Sequence, residues 1–280
     1  MVYYLYDPFT ENHTFLVNNL ILNLDLYNYK YEEIRHIDNK DDDDIYIIII
    51  NHMFFIKDNN AKIDYENLIS KKKKILYITE PLELIIEIKY YNNIINKLKP
   101  IKIFTYCEEN LKKINPICSY DTFFPINKKY LKFVENNISL INEKDLSKIV
   151  FIGKMNEYRS KIKDIFKNDL IIIEDKYKKE EWIEIIKKYQ YFINIHRRPN
   201  SLCFESMRII PLLYNNCTVI SEYVNEKEIN FFQKGNIYFC KMEEMKNKFE
   251  EIKKIKINKI FDNHDKIDYT KYYQMKKLFI

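Results

Sequence analysis

Short β-branched runs recur from one end of the sequence to the other, and each is followed by a stretch with apolar residues at helical spacing. In the first half the runs are 2-VYYLY-6, 45-IYIIII-50, 75-ILYIT-79 and 101-IKIFTY-106, with helices expected over 13–24, 82–98 and 107–114. The second half repeats the pattern. Strands are expected over 149–154, 169–174, 191–196, 217–221 and 236–240, and helices over 157–166, 178–189, 203–215 and 243–255. Strand, helix, strand, repeated, specifies parallel sheets with helices on both faces. The expected fold class is therefore α/β, with doubly wound, Rossmann-like sheets.

A chain of 280 residues exceeds one comfortable hydrophobic core, so two domains are expected. The stretch 126–148 is charged and poor in strand signals, which places the boundary near 145 and divides the chain into 1–145 and 146–280. A final amphipathic stretch, 267-IDYTKYYQMKKLF-279, suits a terminal helix returning towards the N-terminal domain.

Composition removes several function classes. Net charge is +5, from 46 Lys plus Arg against 41 Asp plus Glu, a mixed surface rather than the one-signed field of a nucleic-acid binder. The basic run 71-KKKK-74 is the strongest exception, and acidic residues surround it. No apolar run approaches the roughly 20 residues of a spanning helix, and no secretory leader is evident, so a cytoplasmic protein without a membrane span is expected. The five cysteines are scattered and lack a C-x-x-C pair, which reads as buried free thiols rather than a zinc site. The run 41-DDDD-44 reads as a solvated loop, and no metal site or cofactor is expected. With only 2 glycines, the G-x-G-x-x-G dinucleotide fingerprint is excluded.

Ligands of doubly wound sheets bind beyond the carboxyl ends of the strands. Strand 149–152 ends at Gly153, followed by Lys154, Asn156 and Arg159: a backbone free to approach a pyrophosphate, with cations to neutralise it. The segment 193-INIHRRPNSLCFESMRIIPLLYNN-216 breaks from strand into a cationic loop and then a helix. His196 and Arg197, with the amides of a helix N-terminus near Ser201, Leu202, Cys203 and Phe204, suit an anion. Glu205 suits two ribose hydroxyls or a helix cap, and Arg208 suits an ion pair with Glu205 one turn away. Ser221 and Glu222 stand at the next strand end. In the first half His13, His52 and Glu80 follow strand ends and are candidates for a general base.

The order Asn194, His196, Glu205, Arg208, Ser221, Glu222 resembles the C-terminal domain of group 1 glycosyltransferases, particularly the spore-maturation-like branch. The turn 151-FIGKMNEYR-159 and the segments 101–114 and 120-YDTFFP-125 are similar to further pieces of that family, and the match spans about 75–245. The resemblance implies GT-B architecture, two Rossmann-like domains facing across a cleft. It also implies metal-independent transfer, hexosyl transfer foremost, from a nucleotide-diphosphate sugar to a glycan, protein or small-molecule hydroxyl acceptor. It does not extend to the glutamate that many retaining members carry eight positions before the ribose-binding one, because Arg197 stands there. Retention or inversion stays open, as does a catalytically silent nucleotide- or sugar-binding protein of the same fold.

Overall fold

The computed structural model describes residues 1–6, 30–33, 43–50, 65–79, 81–114, 119–122, 143–174, 179–233 and 235–255. The chain divides into two compact units at Pro125/Ile126.

The first unit is built on a parallel sheet of β1 (Val2–Tyr6), β2 (Tyr31–Glu33), β3 (Ile45–Ile50), β4 (Lys73–Ile78), β5 (Lys102–Thr105) and β6 (Ser119–Thr122). Their spatial order is β2-β1-β3-β4-β5-β6, and every pairing is parallel. Successive residues Ile47, Ile48 and Ile49 are all buried. A parallel strand covered on both faces requires that unbroken apolar run, whereas a one-sided strand would alternate. The helices are α1 (Tyr65–Ser70), α2 (Ile85–Leu98) and α3 (Glu108–Lys113). α2 turns Tyr91, Ile94, Ile95 and Leu98 into the core beside Leu5, Ile48, Leu76 and Ile103, the i, i+3, i+4, i+7 face of an amphipathic helix. Its start is fixed by Glu87, whose Oε2 accepts from the amides of Glu83 (2.9 Å) and Leu84 (2.8 Å). It ends at Lys99, in the left-handed region at φ 46°.

The lysine run is taken up by the fold. Lys72 pairs with Asp43 at 3.6 Å, Lys73 Nζ donates to the Asp43 carbonyl at 2.9 Å, and Lys74 Nζ donates to the carbonyls of Ile69 (3.0 Å) and Lys71. Asp44 accepts from the N-terminal ammonium at 2.7 Å. Asp43 and Asp44 thus stand in a turn ahead of β3. Positions 41 and 42, the expected helix over 13–24 and the terminal stretch 267–279 lie outside the described residues.

The second unit carries β7 (Asp145–Ile152), β8 (Leu170–Ile173), β9 (Tyr189–Asn194), β10 (Thr218–Ser221) and β11 (Ile237–Phe239). The order is β11-β10-β9-β7-β8, again all parallel. α4 (Glu157–Phe166), α5 (Lys179–Lys188), α6 (Ser206–Tyr214), α7 (Glu226–Phe232) and α8 (Met245–Ile252) complete it. Its core joins Ile149, Phe151, Ile162, Phe166, Ile193 and Phe249. The chain leaves β7 for β8 on one side and returns to β9 on the other. That reversal, the switch point at which open α/β sheets bind ligands, lies between the carboxyl ends of β7 and β9. Gly153 and the loop beginning at Ile195 follow those two strands directly.

Candidate functional site

Gly153 ends β7 at φ +146°, a backbone conformation that a side chain would strain. A Cβ there would stand 3.2 Å from Arg208 Nη2 and 3.3 Å from Phe151 Cζ. The turn therefore needs glycine on two counts. Met155 then donates its amide to Glu174 Oε1 at 2.7 Å, tying the turn to the end of β8. Asn156 caps α4: its Oδ1 accepts from the Arg159 amide at 2.8 Å, and its Nδ2 donates to the Arg197 carbonyl at 2.7 Å. Lys154 is exposed beside them.

Arg159 faces inward. Its Nε donates to the carbonyls of Ile195 and His196, both at 3.1 Å, its Nη1 to the Lys154 carbonyl at 2.9 Å, and its Nη2 to Glu205 Oε1 at 3.2 Å. It is 6% exposed. The sequence suggested a cation offered to a diphosphate, and the geometry instead makes Arg159 the brace that holds the β7 and β9 loops together. Glu205 is its partner and also pairs with Arg208, one guanidinium on each carboxylate oxygen. Arg208 Nη1 donates to Asn194 Oδ1 at 2.8 Å, and Asn194 Nδ2 to Ser221 Oγ at 3.1 Å. Both guanidinium groups lie over the Phe151 ring, at 5.4 Å and 5.6 Å from its centroid. Six of the predicted residues, Gly153, Arg159, Asn194, Glu205, Arg208 and Ser221, thus form one connected arrangement.

A second arrangement adjoins it. Glu222 is buried and its Oε2 accepts from the His196 amide at 2.7 Å, while Oε1 accepts from the Tyr158 hydroxyl. Burial and, after it, the Glu222 carboxylate push the Tyr158 phenol well above its ordinary range, so it stays a donor at all physiological pH. His196 Nε2 lies 3.0 Å from the Tyr223 carbonyl. A carbonyl only accepts, so Nε2 carries the proton, and the buried Nδ1 has no hydrogen-bond partner among the described residues.

The helix after β9 starts later than its apolar pattern suggests. It begins at Ser206, with Glu205 as the preceding cap residue, not at Cys203. Asn200 takes φ 62°, Ser201 donates its amide to the Arg198 carbonyl (3.4 Å), and the Cys203 amide lies 3.5 Å from Ser201 Oγ. Phe204 is buried and stacks on Phe232, with centroids 4.3 Å apart. The apolar stretch Leu202–Phe204 is thus an anchor for the loop, and it places Ser201, Leu202 and Cys203 ahead of the helix rather than on its first amides. Leu202 is exposed and Cys203 buried.

Tyr158, Phe151 and Glu174 were not singled out from the sequence. Phe151 sits in a run that reads as strand core, and nothing local marks a tyrosine or glutamate as the partner of a distant loop. His13, His52 and Glu80 lie outside the described residues. The switch point of the first sheet is the β1/β3 pair, and the segments following both strands, 7–29 and 51–64, lie outside as well. Among the described residues, no group of three or more His, Cys, Asp or Glu is placed to hold a metal ion, and no helix is long and apolar enough to cross a membrane.

No protein-family model matches the sequence, and no curated protein is significantly similar to it. Among solved structures, the chain is similar to Anabaena Alr3699/HepE in complex with UDP and glucose, over 98% of this chain and 97% of that one, with a TM-score of 0.58 and 7% identity. It also aligns with a Glycosylation Associate Protein (Gap123) complex from Streptococcus agalactiae, over 81% of this chain and 53% of that one, with a TM-score of 0.41 and 12% identity. At such identity the first likeness speaks for the fold alone. Two consecutive, all-parallel α/β units, matched along nearly their whole length, give this chain the GT-B fold.

Proposed function

We propose that this chain is a glycosyltransferase that takes its sugar from a nucleoside-diphosphate sugar held at the switch point of the second unit. The observation that carries the reading is the β7/β9 edge, where a strained glycine turn, a loop with Arg197 and Arg198, and a fixed glutamate converge. A fold neighbour of matching length that holds UDP and glucose supports it. The side chains named at this edge number five basic (Lys154, Arg159, Arg197, Arg198, Arg208) and three acidic (Glu174, Glu205, Glu222), so the field favours an anion. Glu205 gives one lone pair of each oxygen to an arginine. An ionised carboxylate has about four acceptor sites, so two remain for the 2′- and 3′-hydroxyls of a ribose.

In the transfer, the acceptor oxygen bonds to the anomeric carbon, the bond to the diphosphate breaks, and the diphosphate leaves with the electron pair. Lys154, Arg197 and the polar loop 195–205 stabilise that developing charge electrostatically, in a metal-independent reaction. The acceptor proton passes to a general base, for which the sequence offers His13, His52 and Glu80 as candidates. The acceptor is a glycan, a protein or a small-molecule hydroxyl, the transferred group is a hexose, and the setting is the cytoplasm. The order Asn194, His196, Glu205, Arg208, Ser221 and Glu222 supports the spore-maturation-like branch of the group 1 enzymes.

The mutual satisfaction of Arg159, Glu205 and Arg208 favours one second reading, a binding protein of the same fold without turnover. A thermal-shift screen against UDP, GDP and ADP sugars, with release of the nucleoside diphosphate followed in parallel, separates the two. A ligand at a hundredfold excess over its dissociation constant adds about 2.7 kcal/mol of apparent stability. A selective shift with release supports the transferase, a shift without release across an acceptor panel supports the binding protein, and no shift in folded protein contradicts both.

A further inference from the structure

At the amino-terminal edge of the second sheet, opposite the candidate site, stand two reactive side chains that the proposed reaction does not use. Lys144 immediately precedes β7 and Cys217 immediately precedes β10. Lys144 is 7% exposed and Cys217 is fully buried. Among the described residues, the polar contact of the Lys144 ammonium is the Cys217 sulfur, 4.0 Å away, and no carboxylate pairs with it. A buried ammonium is costly without an anion or strong acceptors around it. Among the described residues, two buried oxygens of this edge, Gln190 Oε1 and Asn216 Oδ1, have no hydrogen-bond partner, so neither takes the ammonium away from the sulfur. The thiol points its own weak bond at the Asn215 carbonyl, 3.7 Å away, leaving a sulfur lone pair for the lysine.

We propose that Lys144 and Cys217 are a covalent modification site, at which dioxygen joins Nζ to Sγ through a single bridging oxygen. In balanced form, the Lys144 ammonium, the Cys217 thiol and one O2 give Lys144–NH–O–S–Cys217, one water and one proton. Two N–H bonds, the S–H bond and the O–O bond break, one of the N–H hydrogens leaving as the free proton, while N–O, O–S and the two O–H bonds of water form. Nitrogen and sulfur each give up two electrons, and dioxygen takes all four. One of its oxygen atoms stays in the bridge and the other leaves as water. An inserted oxygen shortens the approach that the 4.0 Å gap requires, compared with a direct N–S bond. Burial raises the Cys217 thiol and the neighbouring ammonium opposes that rise. Burial also keeps out bulky thiols, which limits competing disulfide exchange. Two equivalents of a dithiol that reach the bridge through local opening reduce it, giving back the Lys144 amine and the Cys217 thiol with one water and two disulfides of the reductant. The bridge ties the start of β7 to the start of β10 across β9 and closes the chain between positions 144 and 217, so it raises the unfolding midpoint by several degrees.

The test is peptide mapping of the full chain purified in air, compared with protein kept anaerobic under reductant. Each sample is denatured, alkylated and digested before mass spectrometry. The expected result is a cross-linked peptide pair containing Lys144 and Cys217, heavier than the sum of the two by one oxygen and lighter by two hydrogens. It appears in the aerobic sample, is lost on reduction, and is absent from Cys217→Ser and Lys144→Arg. An alkylatable Cys217 in the aerobic sample overturns the proposal. So does Cys217 as a sulfinic acid, in a disulfide, or linked to Lys144 without the extra oxygen. Because the wild-type chain carries the decisive comparison, poor folding of either variant leaves the test intact.

Discussion

The two sheets share one winding and differ in what they place at their carboxyl edges. In the first unit the described residues of that edge are held by Asn110 and by charged side chains bonded to backbone groups: Glu87 accepts from the Glu83 and Leu84 amides, and Lys113 Nζ donates to the Leu82 carbonyl at 2.8 Å. Asn110 is fully buried, its Oδ1 accepts from the Leu82 amide at 2.7 Å, and its Nδ2 donates to Thr105 Oγ1 at 2.9 Å. In the second unit the same edge is held by arginines, glutamates and a strained glycine. At the other edge of the first unit Lys72, Lys73, Asp43 and Asp44 meet. Equal topology thus gives an edge where charged side chains cap backbone groups and an edge where two arginines share one glutamate. Charge that is costly to bury is retained where it has a task beyond holding the fold.

The largest effect separating the two edges is expected at Glu205. Glu205→Gln leaves Arg159 and Arg208 facing each other without an anion, and urea unfolding should show a loss of about 3–5 kcal/mol. A loss below that of any first-unit variant would remove the distinction. Gly153→Ala comes next. The positive φ and the crowding against Arg208 and Phe151 together should cost about 2–3 kcal/mol, and nucleotide binding should fall with it because Arg208 is displaced. At the first edge, Asn110→Ala orphans the Leu82 amide and should cost about 1–2 kcal/mol in urea unfolding without changing nucleotide affinity; an equal loss of affinity would show that both edges serve the ligand.

The smallest effect is one of pH. The Lys246 hydrogen bond holds the Asp169 carboxyl below its usual range. A depressed carboxyl contributes stability above its unfolded pKa and loses it as pH falls through the folded value, so the contribution fades from about pH 4 downwards. The pair is partly exposed, which limits it to about 0.2–1 kcal/mol. Asp169→Asn should flatten that part of the stability profile in acid unfolding. A profile unchanged by the substitution would show that the Asp169–Lys246 pair contributes nothing to the acid dependence.

Much of this architecture was legible in the sequence. The runs at 45–50, 149–152 and 191–193 are apolar throughout, and only a doubly covered parallel strand asks for that. Helix α4 begins at Glu157, where Asn156 caps it, and that cap too is readable. The start of α6 was misplaced because Leu202–Phe204 reads as the apolar face of a helix, while its packing against Phe232 depends on a residue 28 positions later than Phe204. The strands β2 and β6 are short and carry little apolar pattern: 31-YEE-33 and 119-SYDT-122 take their structure from the ladder beside them. Within the site, Gly153, Lys154, His196 and Arg197 pointed to an anion, Glu205 to ribose hydroxyls or a helix cap, and Arg208 to an ion pair with Glu205. The inward turn of Arg159 depends on three backbone carbonyls, two of them from the distant loop after β9 and one from the turn just before α4, and carbonyl positions are invisible in a list of side chains.

The central claim is that the edge around Gly153 and Arg197 binds a nucleoside diphosphate. Calorimetric titration of UDP into the wild-type chain and into Lys154→Ala/Arg197→Ala tests it most directly, because both side chains lie outside the Glu205 ion-pair network and their loss leaves the brace intact. Saturable binding by the wild type, weakened at least about tenfold in the variant, corresponding to about 1.4 kcal/mol, is the expected result. Folded wild-type protein that binds UDP no better than the variant would contradict the claim.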